Sequence, residues 1–154
     1  MTPVVYISSR YYHAPVWQQW RDAGVPLRSS WIDSLGDESP AGLRQQWEQN
    51  VEDIRQATGI VLYCQPGEVL KGALVEVGIA LSFSKTIACV GLCDATDAGP
   101  QNATYAYHAL WRTFPCLLSA FSFYGIVIPD GLPQPVRKPA LPSAPTPAMS
   151  VASR

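Results

Sequence analysis

The fold class of this chain is decided by residues 59–92, GIVLYCQPGEVLKGALVEVGIALSFSKTIACVGL. The segment begins with a continuous apolar run over 59–64, which is typical of a strand covered on both faces. A second apolar run over 86–92 ends it, and residues 71–85 between them predict an apolar helix that Gly72 opens. A strand, a helix and a second strand in this order predict a βαβ unit whose two strands are parallel.

The segments before this unit continue the alternation of strands and helices. Residues 3–8 and 25–31 predict two strands. The helix predicted between them has Pro15 in its first turn and Gly24 at its C-terminal end, where each residue type is favoured. A longer helix is predicted to begin at Ser39. Its residues expected to face the core are Leu43, Trp47, Val51 and Ile54.

The pattern is weaker after residue 92. Residues 105–113 predict a helix, and a last strand is predicted within 116–128. Together the elements predict an α/β chain, a three-layer sandwich with a mainly parallel sheet between helices. One domain is expected over 1–128, because residues 129–154 are rich in Pro, Ala and Ser with little to bury, and are predicted to form a disordered tail.

Composition excludes several classes of function. The 154 residues carry a formal net charge of −1 and no stripe of Lys and Arg, so no nucleic-acid polymer is expected as a partner. No apolar run reaches the ~18 residues of a membrane span and no secretion signal is recognised, so we expect a cytoplasmic protein that binds no membrane. Four cysteines without a CxxC pair and two histidines predict no metal site. The sequence contains neither GxGxxG nor GxxxxGK[ST], and we expect no cofactor.

Ligands of parallel α/β folds bind outside the carboxyl ends of the strands, so the residues that follow each strand are candidates for substrate binding. Ser8, Ser9 and Arg10 follow the first strand, and small hydroxyls with a guanidinium suit a phosphate or a sugar hydroxyl. Trp31 is a candidate for stacking on a base, with a place in the core as its alternative. The remaining substrate-binding candidates are Tyr6, Asp33, Gln65, Gly72 and Asn102.

Glu76 is the main catalytic candidate, because it is a carboxylate in an otherwise apolar helix. It lies one turn after Gly72, where the partial positive charge of the helix N-terminus favours the ionised form. Ala73 and Ala80 flank it at helical spacing and leave room for a ligand. An ionised, partly shielded carboxylate can act as a nucleophile or a general base. The alternative is a solvent-facing glutamate on an amphipathic helix.

The preceding helix holds two further catalytic candidates, Asn50 and Asp53. Asn50 lies close to the predicted core stripe, where a polar side chain is expected to be hydrogen-bonded or to face a cavity. Asp53 lies on the flank of that stripe, and its alternative is a solvated face.

Three segments resemble the nucleoside 2-deoxyribosyltransferase-like superfamily, which includes deoxyribosyltransferases, deoxynucleoside 5'-monophosphate N-glycosidases and many small phage and bacterial relatives. They are VVYISSR (4–10), NVEDIRQATGIVLYCQPG (50–67) and KGALVEVGIALSFSKTIACVG (71–91). The third is the most specific, because it resembles the family segment G-x-x-x-E-x-G-x-A that holds the catalytic glutamate. Its matching residues are Gly72, Glu76, Gly78 and Ala80, followed by Lys85. The resemblance covers 3–92 well and 93–128 loosely.

The resemblance implies a flavodoxin- or Rossmann-like fold with a five-stranded parallel sheet. It implies that Glu76 attacks C1' of the sugar and forms a covalent glycosyl-enzyme, which water or a second base resolves, as in a retaining glycosidase. It also implies a nucleoside or nucleotide substrate and a homodimer or larger homo-oligomer, with the loop around Asn102 closing a neighbour's site.

The sequence departs from the family pattern at two positions. Asn50 stands where relatives usually carry the Asp that handles the leaving base, and Thr58 and Gly59 occupy the usual Asp position at the strand start. An asparagine can hydrogen-bond a base but cannot deliver a proton to it, and Asp53 is the candidate substitute. Two functions therefore stay open beside glycosyl cleavage or transfer. One is a degenerate module that binds or senses a nucleotide, and the other is an NAD-cleaving or cyclic-nucleotide-related enzyme.

Overall fold

A parallel sheet of four strands, in the order β1-β2-β3-β4, forms the centre of the structure. The computed structural model describes residues 2–34, 38–91 and 107–136. Within them the strands are β1 (Val5–Ser8), β2 (Gly59–Tyr63), β3 (Thr86–Val90) and β4 (Trp111–Phe114). Each neighbouring pair is parallel, and the pair of β2 and β3 is the one that the apolar runs at 59–64 and 86–92 predict.

The predicted strand at 25–31 is reduced to one bridge in the structure. Leu27 makes an isolated parallel bridge to Val5, whose other side pairs with β2. The chain then leaves the sheet, because residues Ser30–Asp33 form a 3-10 helix. The described part of the chain therefore has four strands and not five. The bridge nevertheless places this segment on the outer side of β1, so the strand order reverses between β1 and β2, and such a reversal marks a ligand-binding crevice in α/β folds.

Helices cover both faces of the sheet. They are α1 (Ala14–Asp22), α2 (Pro40–Gln56), α3 (Gly72–Ser82) and α4 (Leu117–Phe123). On one face, buried residues of α2 and α3 pack with Tyr6, Ile60 and Leu62. On the other face, Trp17 and Trp20 of α1 and Phe121 of α4 pack with Ile7 and Val61. The α/β class and the layered arrangement are thereby confirmed.

The helix boundaries follow the local signals in the sequence. Pro15 lies in the first turn of α1, and Gly24 after its end has a φ of +93°, which glycine adopts without strain. Ser39 caps α2, since its Oγ accepts a hydrogen bond of 3.1 Å from the backbone N–H of Gly42. Gly72 is the first residue of α3. These three predicted helix starts are confirmed.

Two predictions in the C-terminal third were wrong. The helix predicted over 105–113 overlaps β4, which begins at Trp111, in the part of this range that the structure describes (107–113), and the strand predicted within 116–128 is replaced by α4. The residues of α4 that are buried are Leu117, Ala120 and Phe121. Their spacing of three and four residues is helical, so a short apolar run that fits a strand by composition buries one face of a helix instead.

The predicted core stripe of α2 is confirmed at Ile54, which is fully buried, and was wrong at Leu43 and Trp47. Leu43 is 57% exposed and Trp47 is 38% exposed, whereas Asn50, Asp53 and Ile54 are buried. Relative to the predicted orientation, the helix is thus rotated about its axis, so that the polar side chains of Asn50 and Asp53 face the interior. Both are hydrogen-bonded there, which offsets the cost of removing them from water.

The folded part of the chain continues past the boundary expected at residue 128. The Trp20 indole N–H donates 2.7 Å to the carbonyl of Pro133, and Gln65 Nε2 donates 2.7 Å to the carbonyl of Pro135. Leu132 packs against the core cluster of α1 and α4. Residues 129–136, which we call the C-terminal strap, therefore belong to the domain rather than to a disordered tail. The rest of the predicted tail, 137–154, lies outside the described residues.

Candidate functional site

A cleft of about 230 Å³ lies at the carboxyl edge of the sheet. One wall is the segment after β1, residues 9–11, and the opposite wall is formed by residues 70–73 at the start of α3. Trp31, Asn50 and Glu76 complete the lining. The cleft thus occupies the crevice where the strand order reverses, as expected for a ligand site of this architecture.

Glu76 is buried on the inner face of α3, with 8% of its surface exposed. The Tyr6 hydroxyl donates 2.8 Å to Oε1, and the Ser8 hydroxyl donates to Oε2. Tyr6 and Ser8 are two residues apart in β1, so both side chains point to the same side of the sheet, toward α3. The solvent-facing alternative for Glu76 is therefore wrong.

The electrostatic state of Glu76 is set mainly by its burial. Removal from water raises the pKa of its carboxyl group, and the hydrogen bonds from Ser8 and Tyr6 lower it by less. The helix N-terminus was expected to favour the ionised form, but it does not determine the direction in which the pKa of Glu76 is shifted. Burial, followed by the nearby charge of Glu76, also raises the pKa of Tyr6 far above its ordinary value, so this phenol remains a hydrogen-bond donor.

Asn50 contacts the same carboxylate from α2. Its Nδ2 donates to Glu76 Oε1 over 3.4 Å, and its Oδ1 accepts a hydrogen bond of 2.7 Å from Gln46 Nε2. The second bond fixes the orientation of the amide, so that its N–H side faces Glu76. Asn50 therefore acts on the carboxylate as a neutral donor.

Asp53 is not brought to the cleft. One carboxylate oxygen accepts from the backbone N–H and the hydroxyl of Ser30, at 2.7 and 2.6 Å, and the other accepts 3.1 Å from Gln49 Nε2. The side chain is buried, so the solvated-face alternative is wrong as well. Asp53 fixes the start of the 3-10 helix at 30–33, which carries Trp31 to the cleft.

Three of the predicted substrate-binding residues line the cleft with defined contacts. Arg10 Nη1 donates 2.9 Å to the carbonyl of Val69, the residue that precedes the wall formed by residues 70–73. The Trp31 indole N–H donates 2.8 Å to the carbonyl of Ile7, which orients the ring. Ser9 Oγ accepts 2.9 Å from the Trp17 indole. Gly72 also lines the cleft, in the first turn of α3.

The other predicted residues lie elsewhere. Asp33 pairs with Arg21 at 2.5 Å on the surface, and the hydrogen bonds of that pair lower the pKa of Asp33. Gln65 is buried beneath the loop after β2 and does not line the cleft. Asn102 lies outside the described residues.

Besides the buried Leu70, two cleft residues were not among the predicted site residues, Tyr11 and Lys71. Both are exposed and both sit next to residues that were singled out, Arg10 and Gly72. The signal was their position directly after a strand and directly before a helix that starts at the ligand edge. Arg10 and Lys71 give the cleft two cations beside the carboxylate.

Among the described residues, no group of three His, Cys, Asp or Glu side chains could hold a metal ion. In the same part of the chain, no helix has both the length and the apolar character to cross a membrane. The sequence matches no protein-family model and no curated protein.

Proposed function

We propose that the Glu76 cleft is the active site of an enzyme that cleaves or transfers the N-glycosidic bond of a (deoxy)nucleoside or its 5'-monophosphate. The observation that carries this proposal is a buried glutamate among the residues that line a cleft, with its carboxylate held in place by Tyr6 and Ser8. On this proposal the chain is a member of the nucleoside 2-deoxyribosyltransferase-like superfamily, in which the bridge at Leu27 is the remnant of the fifth strand.

The geometry suits Oε2 of Glu76 as the attacking atom. Among the described residues, Oε1 accepts from Tyr6 and Asn50, whereas Oε2 accepts only from Ser8 and keeps lone-pair capacity. Oε2 attacks C1', a C–O bond forms, and the C1'–N bond breaks with its electron pair moving to the base. The base takes up a proton from solvent water, because the Asn50 amide can donate a hydrogen bond but cannot transfer a proton. Water or a second base then attacks C1' and releases the carboxylate, with retention at C1'.

The lining of the cleft supports a substrate that carries a phosphate. Arg10 and Lys71 lie on opposite walls, and the guanidinium of Arg10 keeps donors beyond the Nη1 that binds Val69. Trp31 and Tyr11 offer aromatic faces on which a base can stack. Ser8, in contrast, is committed to Glu76 and is not counted as a phosphate ligand.

A binding or sensing module is the second candidate function. It is favoured by Asn50, which replaces the expected acid with an amide, and by Asp53, whose oxygens are occupied by Ser30 and Gln49. In that case the cleft binds a nucleotide without turning it over.

The deciding experiment is a panel of nucleosides, 5'-monophosphates and NAD, incubated with the protein alone and with a second free base. Released or exchanged base is measured by chromatography, and binding by calorimetry. Base release that disappears in Glu76→Gln and persists in the surface control Glu48→Gln supports the enzyme. Exchange into the second base identifies a transferase. Binding without turnover on any panel member supports the module, and base release that survives in Glu76→Gln removes the nucleophile assignment.

We also propose that a second copy of the chain covers the outer face of α3. A helix that is apolar all round is normally buried, yet Val75 is 54% exposed and Gly78 faces open space. Light scattering after gel filtration should show a dimer or larger oligomer that Val75→Lys dissociates. The control Leu118→Lys, at an exposed position of α4, should leave the assembly intact. A wild-type monomer would exclude this part of the proposal.

A further inference from the structure

Glu68 joins the two walls of the Glu76 cleft although it does not line the cleft itself. It lies in the loop 65–71, which leads from β2 to α3 and ends in the cleft residues Leu70 and Lys71. Its Oε1 contacts His13 Nε2 at 2.7 Å and accepts a hydrogen bond from the Tyr12 hydroxyl. Both partners belong to the 3-10 helix that follows β1, on the opposite side of the cleft.

The second oxygen of Glu68 fixes the shape of its own loop. Oε2 accepts 2.9 Å from the backbone N–H of Gln65, while the backbone N–H of Glu68 donates 3.0 Å to the carbonyl of Gln65. The side chains of Glu68 and His13 are 5% and 2% exposed, so this carboxylate has exchanged water almost entirely for protein donors. Burial, followed by the hydrogen bond to Glu68, raises the pKa of Tyr12 to about 12, which keeps its hydroxyl protonated.

The same loop is hydrogen-bonded to the C-terminal strap through Gln65. Gln65 Nε2 donates 3.0 Å to the Tyr63 hydroxyl and 2.7 Å to the carbonyl of Pro135. The strap is held two residues earlier, where the Trp20 indole donates to Pro133. Removing the strap contact should therefore loosen the base of the loop without changing any residue that lines the cleft.

We propose that Glu68 is a positioning residue of the Glu76 cleft, which holds the loop 65–71 against the 3-10 helix of Tyr12 and His13, and that Gln65 couples this loop to the C-terminal strap. The link to catalysis rests on the proposed function, whereas the mechanical link between loop, helix and strap does not. Glutamine at position 68 keeps one acceptor oxygen. Its NH₂ group faces either His13 and Tyr12, which must then accept instead of donate, or the N–H of Gln65, where two donors meet. One set of bonds is therefore weakened or lost.

The test has one arm without ligand and one with substrate. Without ligand, hydrogen exchange of the backbone amides of 65–72 is compared in wild type, Glu68→Gln, Gln65→Met and the surface control Glu48→Gln. We expect exchange in this loop to accelerate about tenfold in the first two variants, which corresponds to about 1.4 kcal/mol, with no change in the control. Unchanged exchange in both variants overturns the proposal, whatever the protein binds.

With a panel substrate, we expect Glu68→Gln to raise KM about tenfold, or about 1.4 kcal/mol, with kcat changed less than threefold, because Glu76 and its donors are untouched. Partial unfolding would instead lower the apparent kcat and leave KM as it was, and that result would contradict a positioning role. Wild-type protein that neither binds nor turns over any panel member would remove the proposed function, while the exchange arm still decides the role of Glu68.

Discussion

Replacement of Glu76 by glutamine should abolish turnover while making the folded protein more stable at neutral pH. Glutamine has the same shape and can still accept from Tyr6, but it cannot attack C1'. Loss of a covalent nucleophile commonly costs a factor of about 10³ or more in kcat. The assay is base release over a range of enzyme concentrations. Mass spectrometry of rapidly quenched wild type should also find the sugar on the peptide that contains Glu76.

The gain in stability follows from the pKa of Glu76. Burial raises this pKa in the folded state, so the folded protein holds the proton more tightly than the unfolded chain. The stability that this proton binding contributes is fully present below the ordinary glutamate pKa of about 4.3. It is lost as the pH rises through the raised pKa that Glu76 has in the folded state. At pH 7 ionisation of the buried Glu76 carboxyl group therefore costs the folded wild type free energy that the unfolded chain does not lose. Glu76→Gln removes that cost.

The expected result is a higher melting temperature for Glu76→Gln than for wild type at pH 7, by about 2–4 °C for each kcal/mol gained. This difference in melting temperature should shrink or reverse at pH 4. There the wild-type carboxyl group is protonated more readily, so the variant and the wild type differ only in their hydrogen bonds. A variant that melts below wild type by the same amount at both pH values would show that the bonds from Ser8 and Tyr6 outweigh desolvation. A variant that keeps more than a tenth of the base release would remove Glu76 as the nucleophile.

Three further substitutions test the surroundings. Tyr6→Phe removes a donor from the Glu76 carboxylate and should raise its pKa further, which moves the acid limb of the kcat/KM profile to higher pH. Asn50→Asp places a second carboxyl group beside Glu76, so the two carboxyl groups should share a proton. The acid limb of the kcat/KM profile should then move to higher pH, and the variant should be less stable at pH 7 than at pH 5. Gly91→Ala should destabilise the protein by about 3 kcal/mol or more in urea unfolding, because φ is +95° and the new Cβ would lie 1.7 Å from the Cys64 carbonyl oxygen. A midpoint within error of wild type would contradict the last expectation.

The central βαβ unit could be predicted because its sequence allows one interpretation. Two apolar runs of strand length flank a helix with a glycine at its start, and the structure places β2, α3 and β3 there. The segment 116–128 is apolar as well, but it is too short for its period to separate a strand from a helix. What decides there is tertiary: the face made by Leu117, Ala120 and Phe121 packs under the sheet. The residues of this segment alone do not show that it packs against the sheet.

The sequence was sufficient to predict Glu76 as the main site residue, but not the roles of the residues around it. Glu76 was conspicuous because a carboxylate in an apolar helix needs a reason. Its donors Tyr6 and Ser8 were recognised as site residues, but they were expected to bind substrate. Their real partner follows from the alternation of β1 and from the position of α3 above it. The roles of Asp53 and Gln65 depend on contacts with Ser30 and with the strap, which are distant in sequence.

The departure at Asn50 is consistent with the electrostatics of Glu76. Burial already pushes this carboxyl group toward its neutral form, in which it is a poor nucleophile. A second carboxylate at position 50 would push it further in the same direction, whereas an amide N–H at 3.4 Å favours the ionised form. Gln46 holds the amide in that orientation. Asparagine at this position therefore gives up the ability to protonate a leaving base and helps to keep the proposed nucleophile charged. The nicotinamide of NAD leaves as a neutral molecule without being protonated, so NAD would lose least from this exchange. The NAD arm of the panel therefore tests whether the cleft breaks a bond whose leaving base needs no acid.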